Sequence, residues 1–137
     1  MKNLVNTVIT QLDTLTYPVV MSVIRASYSK AVPVYPMIIV EEISNSTIMA
    51  LKGEERLSSV VYQIDIFSKD MFVATTLTSG VAVCREIATS VDAGLNSIFG
   101  MTRTSSAELP DINDATVSRL VLRYSGILDV KTDYMYR

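Results

Sequence analysis

Between Val60 and Ile98 the apolar residues change period, and that change constrains the fold more than any other feature of the chain. Over the stretch VVYQIDIFS, Val60, Tyr62, Ile64 and Ile66 alternate with polar Gln63 and Asp65. After Ser68 and Asp70 the apolar positions become Leu77, Val81, Cys84, Ala88, Val91, Leu95 and Ile98, spaced by four and three residues. A period of two marks a half-buried strand and a period near 3.6 an amphipathic helix. The pattern therefore predicts a strand over 58–67 feeding a helix over 69–98. Ser68 is the expected N-cap, and Asp70 places negative charge in the first turn, where the helix dipole favours it. Gly94 and Gly100 help to end a helix that would run roughly 45 Å at 1.5 Å per residue.

The flanking segments fill in an α+β order. Leu4, Val5, Val8, Leu12 and Leu15 share one face of a short helix over residues 2–15, which Tyr17-Pro18 ends because proline pushes its predecessor out of the helical region. Segment 19–34 reads either as a strand or as an extended arm that pairs only on assembly. Met37–Ile43 is a β-prone run, apolar to Val40, expected to be covered on both faces over its first half. Residues 44–57 read as a long connection, by length a candidate for function or disorder. Met101–Ser106 reads as a strand, Pro110 to Asp114 as a turn, and Thr116–Asp129 as a returning strand. In that strand Leu120, Leu122 and Tyr124 face inward, while Arg119, Val121 and Arg123 face outward. The expectation is one domain over residues 1–137: an antiparallel or mixed sheet of four to five strands, with a short N-terminal helix and one long helix packed on one face.

Composition narrows the function. With 49% apolar residues and only 19% charged ones, the chain replaces much of the usual surface charge with Ser and Thr. Such a surface is either simply solvated or easily desolvated against a partner. Net charge is −2 and no block of Lys or Arg occurs, which argues against a surface that tracks nucleic-acid phosphates. Tyr17, Tyr28 and Tyr35, with Arg25 and Lys30 interleaved, are too sparse in cations for that role and read as packing anchors. MKNLVNTVITQLDTL lacks the apolar centre and cleavage pattern of a signal peptide, and the uncharged stretch from Met71 to Cys84 is too short to span a bilayer; both point to use in a cytosol without a membrane partner.

Catalytic chemistry is hard to place. The chain has no histidine, which removes the commonest general base and metal ligand, and a single cysteine, Cys84, expected as a small buried hydrophobe. No phosphate-cradling glycine motif is present. Glu41 and Glu42 are adjacent on a strand and so point to opposite faces; Glu54-Glu55, Asp111 and Asp114 read as solvated or turn residues. The expectation is a protein that is not an enzyme, with no cofactor and no metal.

Four stretches carry a family resemblance: YPMIIVEEISN at 35–45, VVYQIDIFS at 60–68 with the long helix after it, GMTRT at 100–104 and RLVLRYSGILD at 119–129. Together with the order of elements they resemble the tail terminator proteins of long-tailed bacteriophages, also called tail completion or minor capsid proteins. The chain departs from the pattern at Met101, where a larger aromatic is expected after the glycine. The resemblance implies a virion subunit assembled in the host bacterial cytoplasm. It would form a ring, typically a hexamer, on the end of the tail tube, stop tube polymerisation and offer a surface for joining to the head. Implied partners are further copies of itself, the tail tube protein and a neck or head-completion protein. DNA would pass through the ring without specific binding. A neighbouring neck component, such as a head-closure or head-tail joining protein, is the alternative. On this reading Arg25, Tyr28, Glu41, Glu42, Arg119 and Arg123 are candidates for subunit contacts, and Lys52, Glu54, Glu55 and Arg56 for contact with the tube or neck.

Overall fold

The computed structural model describes residues 5–13, 22–25, 35–51, 53–97, 100–110, 116–132 and 134–136. The chain forms α1 (Val5–Asp13), β1 (Ser22–Arg25), β2 (Met37–Leu51), β3 (Glu54–Ser68), β4 (Met71–Val73), β5 (Thr76–Thr78), α2 (Gly80–Ser97), β6 (Thr102–Pro110), β7 (Ser118–Asp129) and β8 (Tyr134–Tyr136). The main sheet runs β1-β2-β3-β7-β6, with β8 also on β7. All of its pairings are antiparallel except β1 with β2. The α+β class is as expected, with a mixed sheet and both helices contributing to one core. The segment 19–34 supplies β1; its other residues, the Tyr17-Pro18 helix stop, Ile98 and the turn residues Asp111 to Asp114 lie outside the described residues.

Alternation fixes which face of the sheet is buried. Ile38 and Val40 of β2, Val60, Tyr62, Ile64 and Ile66 of β3, and Leu120, Leu122, Tyr124 and Leu128 of β7 point to the helices and are at most 6% exposed. Against them pack Val8 and Leu12 of α1 and Val83, Cys84, Ile87, Ala88, Val91 and Leu95 of α2. Each aliphatic or aromatic side chain so buried contributes about 1.5–3 kcal/mol before the entropy of ordering it is subtracted. Tyr62 and Tyr124, register partners and both fully buried, are the largest of these side chains. Each keeps its hydroxyl satisfied at a carboxylate, Tyr62 donating to Glu42 Oε1 at 3.4 Å and Tyr124 to Asp92 Oδ1 at 2.7 Å.

Two expectations require correction. Residues 44–57 are not a long loop. They complete a hairpin of two 15-residue strands, and between them Gly53 takes the left-handed φ of +77° that side chains resist. The alternation is hidden because positions 46 to 50 are exposed on both faces and because the register shifts between Glu42 and Ser44, Thr47 and Met49, and Met49 and Ala50. Nor does the helix begin at 69. Met71–Thr78 forms a separate two-stranded ribbon pairing Phe72 with Leu77, and Ala74 turns its tip at a φ of +56°. Met71 and Val73 pack on the core, while Phe72 and Leu77 face away. Thr75, Thr76 and Thr78, β-branched and weak helix formers, suit the ribbon better than a helix. The helix is therefore 18 residues, about 27 Å at the same rise. Leu77 and Val81, both exposed, do not belong to its buried face, and Val83 and Ile87 do.

The N-cap moves accordingly. Ser79 Oγ accepts from the Ala82 amide at 3.2 Å, and Asp70, ten residues before Gly80, accepts from the Gly80 amide at 2.8 Å. Asp70 thus does bring negative charge to the helix N-terminus, but across the ribbon rather than from the first turn. Ser68 is instead buried at the end of β3 and donates to the Lys69 carbonyl at 3.1 Å. Gly80 sits where a Cβ would lie 2.8 Å from Ser118 Oγ and 3.0 Å from the Ser68 carbonyl oxygen. Gly80→Ala is expected to lower stability by about 1–3 kcal/mol, the usual range for overpacking, read as a lowered urea midpoint at unchanged slope; an unchanged midpoint would mean that the helix start gives way freely.

Candidate interaction surface

The sheet face away from the helices carries a polar ladder built by register. Glu41, Gln63 and Arg123 align across β2, β3 and β7, as do Ile39, Asp65 and Val121 in the adjacent outward row. Arg123 Nε donates to Gln63 Oε1 at 3.0 Å, Gln63 Nε2 to Asp65 at 3.2–3.3 Å, and Arg119 donates to Asp65 Oδ2 at 3.1 Å. The Arg119 guanidinium also lies over the Phe67 ring, 5.5 Å from its centroid. Asp65 is only 8% exposed, so its ion pair with Arg119 belongs to the subunit's own structure. Glu41 is exposed with no ion-pair partner among the described residues, and Arg123 is bonded there to a neutral amide.

Of the expected subunit-contact residues, the structure gathers Glu41, Arg119 and Arg123 on this one face. Glu42 points the other way, half-buried beside Tyr62 and Asn45, which donates to it at 2.9 Å. Arg25 lies in β1 with its side chain outside the described atoms, and Tyr28 lies outside the described residues. The expected tube-contact group disperses as well. Lys52 is outside the described residues, and Glu54 and Glu55 begin β3, their side chains undescribed. Arg56 reaches Asp129 Oδ2 at 3.2 Å instead of projecting from a loop.

A second surface, which the sequence reading did not single out, is the groove between α2 and the edge strand β6. Arg85 of α2 pairs with Glu108, and Arg103 with Asp92 at 3.4 Å, so two ion pairs bridge it. One end is apolar, about 280 Å³, lined by Val81, Cys84, Leu109, Val117 and Leu120. The other is polar, about 430 Å³, with Thr89, Asp92, Arg103 and Ser106 on its walls. Cys84 lies at the buried side of the apolar end, within 3.5 Å of the Ile66 carbonyl oxygen. Burial, helped by the Glu108 carboxylate, pushes its thiol up to about 11, so it remains protonated and a poor nucleophile at neutral pH. Burial and the neighbouring Asp92 likewise raise Tyr124 above the ordinary phenol value, keeping it a donor. No local spacing in the sequence signals these pairs, because they join residues 23 and 11 apart on elements that meet only in the fold.

Large apolar side chains make a third feature. Phe72 and Leu77 are 67% and 65% exposed as cross-strand neighbours on the ribbon, and Ile43, Ile48 and Met49 are exposed along β2. Among the described residues no group of His, Cys, Asp and Glu is placed to hold a metal ion, and no helix is long and apolar enough to cross a membrane. No protein-family model matches this chain, and no curated protein matches it.

Asp129 anchors the far end of β7, with Oδ1 accepting from the amides of Lys131 and Thr132 at 3.1 and 3.3 Å and Oδ2 meeting Arg56. Burial alone would raise its pKa, but the two amides and the guanidinium outweigh it and hold the carboxyl below its ordinary value. A depressed folded-state pKa means that this stabilisation is complete above the unfolded value of about 4 and is lost as pH falls through the folded one. Asp129→Asn is therefore expected to lower the urea midpoint at neutral pH, with the gap to the parent protein narrowing below about pH 4; a gap that is constant through the acid limb would refute the assignment.

Proposed function

We propose that this chain is a structural ring subunit of a long-tailed phage virion, of the tail-terminator kind, which caps the tail tube and presents a joining surface to the neck. The supporting observation is the apolar pair Phe72 and Leu77, held on a ribbon whose opposite face is spent on the core. Large side chains kept in water at that level of exposure are a common mark of protein–protein contact. The resemblance over residues 35–45, 60–68, 100–104 and 119–129 supplies the biological setting. The chain's net charge of −2 suits a channel through which DNA slides without being held.

In native mass measurement the protein, alone or on tail tubes, is expected to give a species near six times 15.1 kDa. Phe72→Asp should shift it toward monomer while leaving the circular dichroism spectrum unchanged. Particles made without the protein should carry overlong tails. Tails of normal length that fail to attach to heads would assign the chain to the neck instead, and a strictly monomeric protein without affinity for tubes would overturn the ring.

A further inference from the structure

The sheet face away from the helices is not the polar surface that a solvated antiparallel sheet usually shows. Its outward positions include Met37 and Ile39 of β2, Val61 and Phe67 of β3, and Val121 and Ile127 of β7, all half-exposed. Two exposed charges stand out among them. Glu41 has no ion-pair partner among the described residues, and the Arg123 guanidinium is bonded to the neutral Gln63 side chain rather than to a carboxylate. They lie in one row, Glu41 on β2 and Arg123 on β7, with Gln63 of β3 midway between them. The next outward row repeats the arrangement with apolar groups, Ile39 and Val121 flanking Asp65. Positions on the two sides of β3 are therefore matched: opposite charges in one row, apolar groups in the other.

We propose that two copies of this chain pair face to face through this surface, about a two-fold axis that runs along β3 above Gln63. Such an axis exchanges β2 with β7. It sets Glu41 of one copy opposite Arg123 of the other, and Ile39 opposite Val121, each contact made twice as an isologous interface requires. Gln63 and Asp65, on the axis, meet their own counterparts. The Gln63 amide can both donate and accept, and Asp65 is 8% exposed and already neutralised by Arg119 at 3.1 Å. Packed sheets keep their strands within about 30° of each other at a spacing of about 10 Å, so residues near the axis stay opposite and long side chains span the gap. Three strands about 4.8 Å apart, over about ten residues each, cover roughly 500 Å² per copy. About 1,000 Å² in total is the size at which specific interfaces begin, and contacts that small are transient. Because the surface is complementary to itself, a second copy fits it where an unrelated partner would need the same pattern by chance. The contact uses none of the ribbon residues and does not rest on the ring reading.

Cross-linking captures a transient pairing, and the native Cys84 is buried and does not interfere. Gln63→Cys puts one thiol on each side of the axis, so a short bis-maleimide is expected to give a covalent dimer and nothing larger. Thr89→Cys, exposed on α2 away from this face, controls for chance collision and should give far less dimer. Adding Glu41→Arg or Arg123→Glu to the Gln63→Cys protein should cut the yield about tenfold or more, because like charges then face each other twice. Two rescues follow from the symmetry. Mixing the two charge variants restores opposite charges in the mixed pair, and combining both substitutions in one chain restores them in the symmetric pair; each should recover the dimer. Both side chains are exposed, so an unchanged circular dichroism spectrum is expected throughout. Loss of the dimer without either rescue, indifference to charge reversal, or equal yield from Thr89→Cys overturns the pairing. Ring-sized native mass with no dimer from Gln63→Cys overturns the pairing and leaves the ring standing. A charge-dependent dimer in a protein that forms no ring upholds the pairing alone.

Discussion

One face of β3 sets the register of the whole molecule. From Leu57 to Phe67 this strand is paired on both sides, and its inward residues Val60, Tyr62, Ile64 and Ile66 are completely buried. A slip of one residue would turn Gln63 and Asp65 toward the helices and put those four side chains in water. The penalty is paid on both faces, because Asp65 also holds Arg119 from β7 on the outer side at 3.1 Å. Leaving either charge half-buried without the other costs more than the pair itself contributes. Hydrophobic parity on one side and a charge pair on the other therefore select the same pairing.

The helix depends on that register through its entry. Gly80 can approach Ser68 and Ser118 only because those residues close β3 and open β7 in adjacent positions. Asp70 and Ser79 then satisfy amides of the first turn from opposite sides of the ribbon. Once the start is fixed, the spacing of Val83, Cys84, Ile87, Val91 and Leu95 lays the helix over β3 and β7. The ribbon is a consequence: residues 71–78 must leave the sheet and return within a few ångströms of where they left. That explains why they form a tight hairpin rather than an extra helical turn.

This dependence also explains what could be read in the sequence. The strand over 58–67, the inward triad Leu120, Leu122 and Tyr124, the buried Cys84 and the α+β order were legible because each shows in a local period against a single core. The ribbon was not, because Leu77 happens to fall four residues before Val81 and mimics the helical stripe. The outer half of the β2–β3 hairpin was not, because a strand pair exposed on both faces has no period to read, and its bulges would scramble one. For the contact residues, parity alone separated Glu41 from Glu42 and put Arg119 and Arg123 on one face. The ion pairs of Arg85, Arg103 and Arg56 were invisible because they join elements that meet only in the folded chain.

What remains for a partner follows from how the charges are used. Of the arginines with described side chains, Arg56, Arg85, Arg103 and Arg119 are each committed to a carboxylate of the same subunit, and Arg123 to an amide. The exposed pairs Arg85–Glu108 and Arg103–Asp92 contribute little to stability individually, but they neutralise the guanidinium groups along the groove between α2 and β6. The described surface keeps a few large apolar groups exposed, Phe72 and Leu77 foremost. Apolar side chains of this kind give up little hydration when they are covered.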